Sequence, residues 1–229
     1  SSELRGLRDI MDEPALLVPE WERKKVVPAL RDLYDQIWVY GLPQICDPLE
    51  GIDLPKSVRR KMIYTGYLHR TLPHGPASGT PVSKIHDPYL LVTTGGGGDG
   101  EDVIDWVLRA YENDPQQPHP ALLVLGPFMH SDRQSEFLQR AARLDNVEAI
   151  TFDAQMEHLM AKAVGVVAMG GYNTFCEILS FDKPALIVPR TRPRMEQYLR
   201  AARAEEFGLI SMLEDDGVRA WRAMATALR

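Results

Sequence analysis

Two glycine-containing stretches stand out as places where backbone could meet an anion. The first is Thr93-Thr94-Gly95-Gly96-Gly97-Gly98-Asp99-Gly100, which follows the apolar run from Pro88 and precedes Val103, Ile104, Val107, Leu108 and Tyr111 on one helical face. Gly95, Gly97 and Gly100 satisfy the G-x-G-x-x-G spacing of a dinucleotide loop. Such a site also needs an acidic residue after the second strand, for the ribose. Here Leu125 is followed by Gly126, Pro127 and Phe128, and no carboxylate comes before Asp132. The Gly-Lys-Ser/Thr of a P-loop is absent too. What remains is a loop able to present N–H groups to a phosphate or a sugar, with a ligand-free turn as the plain alternative.

The second stretch, Met169-Gly170-Gly171-Tyr172-Asn173-Thr174, runs from a strand directly into a helix. The unpaired N–H groups of a helix start can there receive a diphosphate. One turn on, Glu177 could accept hydrogen bonds from a ribose diol. The competing role for Glu177 is purely local, because Thr174-Phe175-Cys176-Glu177 also spells a capping box. Cys176, between Phe175 and Glu177, reads as a packed thiol rather than a nucleophile. Further on, Pro189-Arg190-Thr191-Arg192-Pro193-Arg194-Met195-Glu196-Gln197 offers arginines for a diphosphate, a role expected of one of them rather than all. Glu196 and Gln197 could pair with sugar hydroxyls or simply open the next helix.

The elements that must carry these turns are legible from periodicity. Apolar strands near 88–94, 121–125, 147–152, 165–169 and 185–188 alternate with helices, including a short one through Met156 and one from about Met195 to Phe207. Alternation of that kind predicts an α/β fold, a Rossmann-like doubly wound parallel sheet covered on both faces. Ligands bind such sheets outside the carboxyl ends of the strands, so the turns after Thr94, Leu125, Phe152, Met169 and Val188 become the candidate site. Upstream, Trp21 to Leu33 has helical spacing, and Gln36–Tyr40 and Lys61–Thr65 read as strands. A run of breakers including Pro73, Gly75, Pro76, Gly79 and Pro81 marks a linker, which suggests residues 1–68 as the end of one α/β domain, 69–87 as the linker and 88–229 as a second domain.

Composition narrows the partners. With 229 residues, a formal net charge of −6 and pI near 5.5, the chain lacks the basic field that nucleic acid requires. Two cysteines, Cys46 and Cys176, support neither a disulfide framework nor a four-thiolate metal site, and point to a reducing, cytoplasmic setting. The histidines, His69, His74 and His86 among them, show no zinc spacing, so no metal is expected. Trp21, Trp38, Trp106 and Trp221 are expected in the core.

The succession Ala168-Met-Gly-Gly-Tyr-Asn-Thr-Phe-Cys-Glu177, then Lys183-Pro-Ala-Leu-Ile-Val-Pro-Arg190, then Glu196-Gln197 with Arg200-Ala201, resembles the donor-binding half of GT-B nucleotide-sugar glycosyltransferases. The likeness is to the family 28 group and to predicted bacterial glycosyltransferases, and it covers roughly Tyr89 to the end. It implies a nucleotide-sugar donor, UDP-sugar foremost, and an acceptor that is a small molecule, a glycan or a lipid-linked sugar. A lipid-linked acceptor would bring the protein to the inner face of the membrane through its N-terminal domain. By the same resemblance Glu177 binds the ribose, and Gly170, Gly171, Tyr172, Asn173 and Thr174 meet the diphosphate with Arg190 or Arg194. The turn from Phe152 to Met156 holds the base, Glu196 and Gln197 contact the transferred sugar, and Thr94, Gly95, Gly96 and Gly97 line the cleft near the phosphates. Ile63-Tyr-Thr-Gly66 resembles the exit from the N-terminal domain, which makes the chain a piece centred on the donor domain, weakly active or inactive alone.

The pattern also departs from its relatives. Where many members carry Asp-His-Gln, this chain has Met195-Glu196-Gln197, so sugar identity is not transferred. The paired glutamates of retaining enzymes are missing, since Ala185 and Ala204 stand where the second would fall; this favours an inverting transfer without an obligatory metal or cofactor. No residue is named as catalytic base. A nucleotide-sugar epimerase or hydrolase of the same fold, and a non-catalytic nucleotide-sugar-binding protein, remain alternatives.

Overall fold

The computed structural model describes residues 14–45, 47, 52–74, 84–86, 88–96, 98–192 and 195–229. Cys46, Gly97, Pro193 and Arg194, together with Gly75, Pro76, Gly79 and Pro81 of the breaker run, lie outside the described residues. The chain divides into two compact units, residues 1–68 with 190–204, and residues 69–189 with 205–229. Arg190 to Ala204, read from the sequence as donor domain, thus groups with the N-terminal residues.

In the first unit, α1 (Pro14–Arg23) and α2 (Val26–Asp32) replace the continuous helical pattern of Trp21 to Leu33. Lys25 takes a left-handed φ of 52°, which a helix cannot propagate. Strand β1 (Ile37–Tyr40), the single turn α3 (Lys56–Arg59) and strand β2 (Met62–Gly66) follow, and the two strands pair in parallel with Ile37 opposite Met62. The period of two along β1 turns Ile37 and Val39 into a core with Trp21, Leu30, Ile52, Leu54 and Val58. The same alternation leaves Trp38 52% exposed, which corrects its expected place in the core.

The second unit is a six-stranded, fully parallel sheet in the order β5-β4-β3-β6-β7-β8. Its strands are β3 (Tyr89–Thr93), β4 (Ala121–Val124), β5 (Val147–Ile150), β6 (Ala163–Ala168), β7 (Ala185–Ile187) and the two-residue β8 (Ser211–Met212). Between them run α4 (Glu101–Asn113), α5 (Ser131–Ala142), α6 (Met156–Lys162) and α7 (Tyr172–Ser180), then α8 (Glu196–Glu206) and the terminal α9 (Trp221–Ala227). Helix α4 packs with α5 and α9, and α6 packs with α7 and against β3 and β6. Both faces of the central strands are therefore covered, as continuous apolar runs such as Leu91-Val92 and Ala121 to Val124 demand. Each large side chain buried there contributes about 1.5–3 kcal/mol. Trp106 and Trp21 are buried, and Trp221 packs partly buried against the main core. Strand β8 and helix α9 had no clear periodic signal, one being too short and the other only two turns long.

The Lys183-Pro184 pair of the motif has a structural task. Lys183 Nζ donates to the carbonyls of Ala161 and Ala163, each at 2.8 Å, and so closes the end of α6. Lys183→Met is expected to cost about 1–2 kcal/mol through these lost charge-assisted bonds, read as a lower urea midpoint at unchanged slope.

Candidate functional site

Strand order places the topological switch between β3 and β6. From β3 the chain steps outward to β4 and β5, then returns to the other side of β3 at β6. Thr93 is in register with Ala168, so the two glycine turns leave the sheet side by side at its carboxyl edge. A doubly wound sheet opens its crevice at that point.

The first turn is built closely. The Thr94 hydroxyl donates to the carbonyl of Leu125 at 2.9 Å, and the Phe128 N–H donates to the carbonyl of Gly96 at 2.9 Å, tying the loops after β3 and β4 together. Gly95 N–H donates to Thr93 Oγ1 at 3.3 Å. Gly100 must lack a side chain: a Cβ there would lie 2.1 Å from Cβ of Thr94. Gly100→Ala is expected to push this loop off Thr94 and lower stability by about 1–3 kcal/mol, measured by thermal unfolding.

At the end of β5, Phe152 is half exposed and Met156, the first residue of α6, is half buried. Between them buried Asp153 accepts the Gln155 N–H at 2.6 Å, which fixes the turn. Sequence reading passed over Asp153, although a carboxylate two residues before a helix N-cap is an Asx-turn signal.

The second glycine turn opens α7. Gly171 is the N-cap and so supplies no side-chain cap, and a Cβ at Gly171 would meet nothing within 4 Å. Tyr172, Asn173 and Thr174 form the first turn, with the Tyr172 hydroxyl buried. Thr174 is thus inside the helix and Glu177 in its second turn, so the capping-box alternative for Glu177 does not hold. Cys176 is a free, buried thiol, as its apolar neighbours implied.

Glu177 is half buried, and burial is the main cause that lifts its carboxyl from 4.5 to about 6. Glu157, in the first turn of α6, pushes in the same direction, and Arg70 pulls it down. Arg70 lies against α7: its N–H donates to Ser180 Oγ at 2.9 Å and its Nη2 to Asn173 Oδ1 at 3.3 Å. Ser180 Oγ in turn donates to the Cys176 carbonyl at 2.6 Å. Arg70 and Glu157 were both missed in the sequence. Arg70 follows no periodic pattern among the breakers, and Glu157 looked like an ordinary acid favouring a helix N-terminus.

Arg190, Glu196 and Gln197 belong to the first unit. There the Arg190 N–H donates to Gln197 Oε1 at 3.2 Å, and the Arg190 guanidinium lies 3.6 Å from a Glu196 oxygen. Gln197 is buried, and its amide oxygen takes the Arg190 N–H. Among the described residues no cluster of three or more His, Cys, Asp or Glu could hold a metal ion, and no helix is long and apolar enough to cross a membrane.

Residues 90–219, more than half of the chain, match the model of the glycosyltransferase family 28 C-terminal domain. The chain belongs to this family. Every described residue singled out in the two glycine turns and α7 falls within that stretch, whereas Arg70 precedes it. The chain also resembles solved structures at low identity. The glycotransferase of kitacinnamycin matches at 15% identity and a TM-score of 0.59, over 91% of this chain and 50% of that one. CalG4, the calicheamicin glycosyltransferase, matches at 19% identity and a TM-score of 0.54, over 97% of this chain and 52% of its own. SnogD from Streptomyces nogalater matches at 15% identity and a TM-score of 0.51, over 85% and 51%. These likenesses show a shared GT-B-type fold, and the chain spans about half the length of each of those structures. No curated protein sequence matches the chain.

Proposed function

We propose that this family 28 domain is the donor half of a glycosyltransferase that moves a hexosyl group from a nucleoside-diphosphate sugar, UDP-sugar foremost, to an acceptor hydroxyl. The observation that carries the reading is the pairing of the two glycine turns at the switch point, with the glycine-capped N-terminus of α7 and the half-buried Glu177 one turn on. In this reading the α7 start receives the diphosphate, and backbone N–H groups of Tyr172, Asn173 and Thr174 point at it. Glu177 accepts the ribose hydroxyls. The exposed ring of Phe152 and the turn to Met156 take the base, and the loop from Thr94 through Gly96 closes over the phosphates.

Transfer is an in-line, inverting displacement at the anomeric carbon. The acceptor hydroxyl gives its proton to a general base outside this donor half, and its oxygen forms the new glycosidic bond as the bond to the diphosphate breaks, the departing nucleoside diphosphate taking the electron pair. Helix N–H groups and an arginine spread that developing charge, which requires no metal ion from the protein. The domain works on the cytoplasmic side, where nucleotide sugars are made.

Thermal shifts with UDP, GDP, dTDP and ADP test the donor site: one nucleotide is expected to stabilise the domain clearly above the others, and chelator is expected to leave that shift in place. Equal, negligible shifts for all of them would overturn the reading. Release of free sugar from a donor without any acceptor would favour a hydrolase or epimerase on the same fold.

A further inference from the structure

The segment at Arg70 is fastened along α7 at two points a helix length apart. Its backbone N–H is held by Ser180 at the C-terminal end, and its guanidinium reaches Asn173 in the first turn. Ser180 is itself committed to the carbonyl of Cys176, so the contact is part of a connected chain of hydrogen bonds rather than a surface touch. The same guanidinium acts electrostatically on the carboxylate of Glu177, and Glu157 of α6, the helix packed with α7, acts on it with the opposite sign. Among the described residues Arg70 is the one cation, and Glu157 the one carboxylate, acting on Glu177.

We propose that Arg70 is the positioning residue of the α7 site: it aims the first helical turn through Asn173 and offsets the charge of Glu157, so that Glu177 meets its ligand as a carboxylate. The inference rests on the reading of Glu177 as a hydroxyl acceptor for a nucleotide ribose. An ionised carboxylate accepts the stronger, charge-assisted hydrogen bonds, whereas a protonated one must first give up its own proton or accept on a weaker oxygen. The charged groups that act on Glu177 are Glu157 from α6 and Arg70 from the segment preceding the sheet. Asn173 and Cys176, on the same helix, are neutral partners in the network. Removing Arg70 leaves the two carboxylates unbalanced, and Glu177 holds its proton to higher pH.

The test follows the Glu177 side-chain carboxyl by carbon NMR against pH, alongside UDP, GDP, dTDP and ADP binding over the same range. In Arg70→Met the Glu177 midpoint is expected to rise above about 6, and the acid limb of nucleotide binding to move up with it. Glu157→Gln is expected to lower the midpoint, and the double variant to return it toward the parent value. Arg70→Lys, which keeps the charge, is expected to restore the profile; a merely structural role would not show that rescue. Nucleotide binding by the parent, with an unmoved midpoint and profile in Arg70→Met, would overturn the inference and leave the donor reading standing. No binding of any of the four nucleotides by the parent would overturn both.

Discussion

Glu177→Gln is expected to reduce nucleotide-dependent stabilisation of this domain sharply while making the ligand-free protein more stable at neutral pH. Both effects come from the same physics. The folded structure lifts the Glu177 carboxyl from 4.5 to about 6, chiefly by burial and then by Glu157. Below the ordinary value the group is neutral in the folded and unfolded states alike, so parent and variant are expected to have equal stability there. As pH rises through about 6 the folded parent must ionise a partly desolvated carboxylate, and it loses stability that the unfolded chain does not lose. The glutamine variant carries no such loss. Its advantage at about pH 8 is expected to be roughly 1 kcal/mol or less once solvent screening of a half-exposed group is discounted. Denaturant melts across pH would read it, and a variant less stable than the parent at pH 8 would contradict it.

The functional half of that prediction is larger. Hydrogen bonds to a charged acceptor contribute about 1.5–3 kcal/mol each, so losing the carboxylate is expected to weaken nucleotide binding by roughly tenfold to a hundredfold or more. Calorimetry with the best-shifting nucleotide is the direct measurement. An isosteric variant that gains stability and loses ligand together marks a residue kept for binding against its own folding cost. Unchanged affinity would remove Glu177 from the ribose role.

Why the parallel sheet could be read from sequence and part of the site could not is a matter of range. Leu91-Val92 and Ala121 to Val124 are buried on both faces, and continuous apolar runs between helical periods announce such strands without knowledge of their neighbours. Gly170, Gly171 and Glu177 are legible for a similar reason: the strand, the turn and the helix start are adjacent in the chain. The break at Lys25 was invisible because a left-handed residue between two helical patterns leaves the periodicity almost intact. Arg70 and Glu157 were invisible because their meaning depends on what they face. Arg70 is 107 positions from Glu177 in the chain and has no periodic context, and only the folding of its segment along α7 gives it a role. Thr174 shows the reverse error, since Thr-x-x-Glu fits a capping box in sequence, yet two glycines start the helix three residues earlier.

Those two glycines are expected to separate fold from function when each is given a methyl group. Gly170 has φ of +77°, a region where a side chain costs about 1–2 kcal/mol, and a Cβ there would lie 2.9 Å from Cγ2 of Ile187 in the adjacent strand β7. Ile187 is fully buried, so its methyl has no free space to enter, and overpacking adds about 1–3 kcal/mol. Gly170→Ala is therefore expected to lose about 2–5 kcal/mol, a large share of the stability of a typical domain, with a correspondingly large drop in melting temperature. Gly171 is the opposite case. Its φ of −55° and ψ of 150° suit alanine, and the methyl meets nothing within 4 Å, so Gly171→Ala is expected to melt within about 0.5 kcal/mol of the parent. The open space in front of Gly171 is, however, where an anion must approach the uncapped helix start, and a methyl there keeps a phosphate from closing on the N–H groups. Nucleotide affinity in Gly171→Ala is expected to fall roughly tenfold or more, as backbone donors at a helix N-terminus are lost to the ligand. Equal melting of the two variants would contradict the steric account of Gly170, and undiminished nucleotide binding by Gly171→Ala would move the diphosphate away from α7.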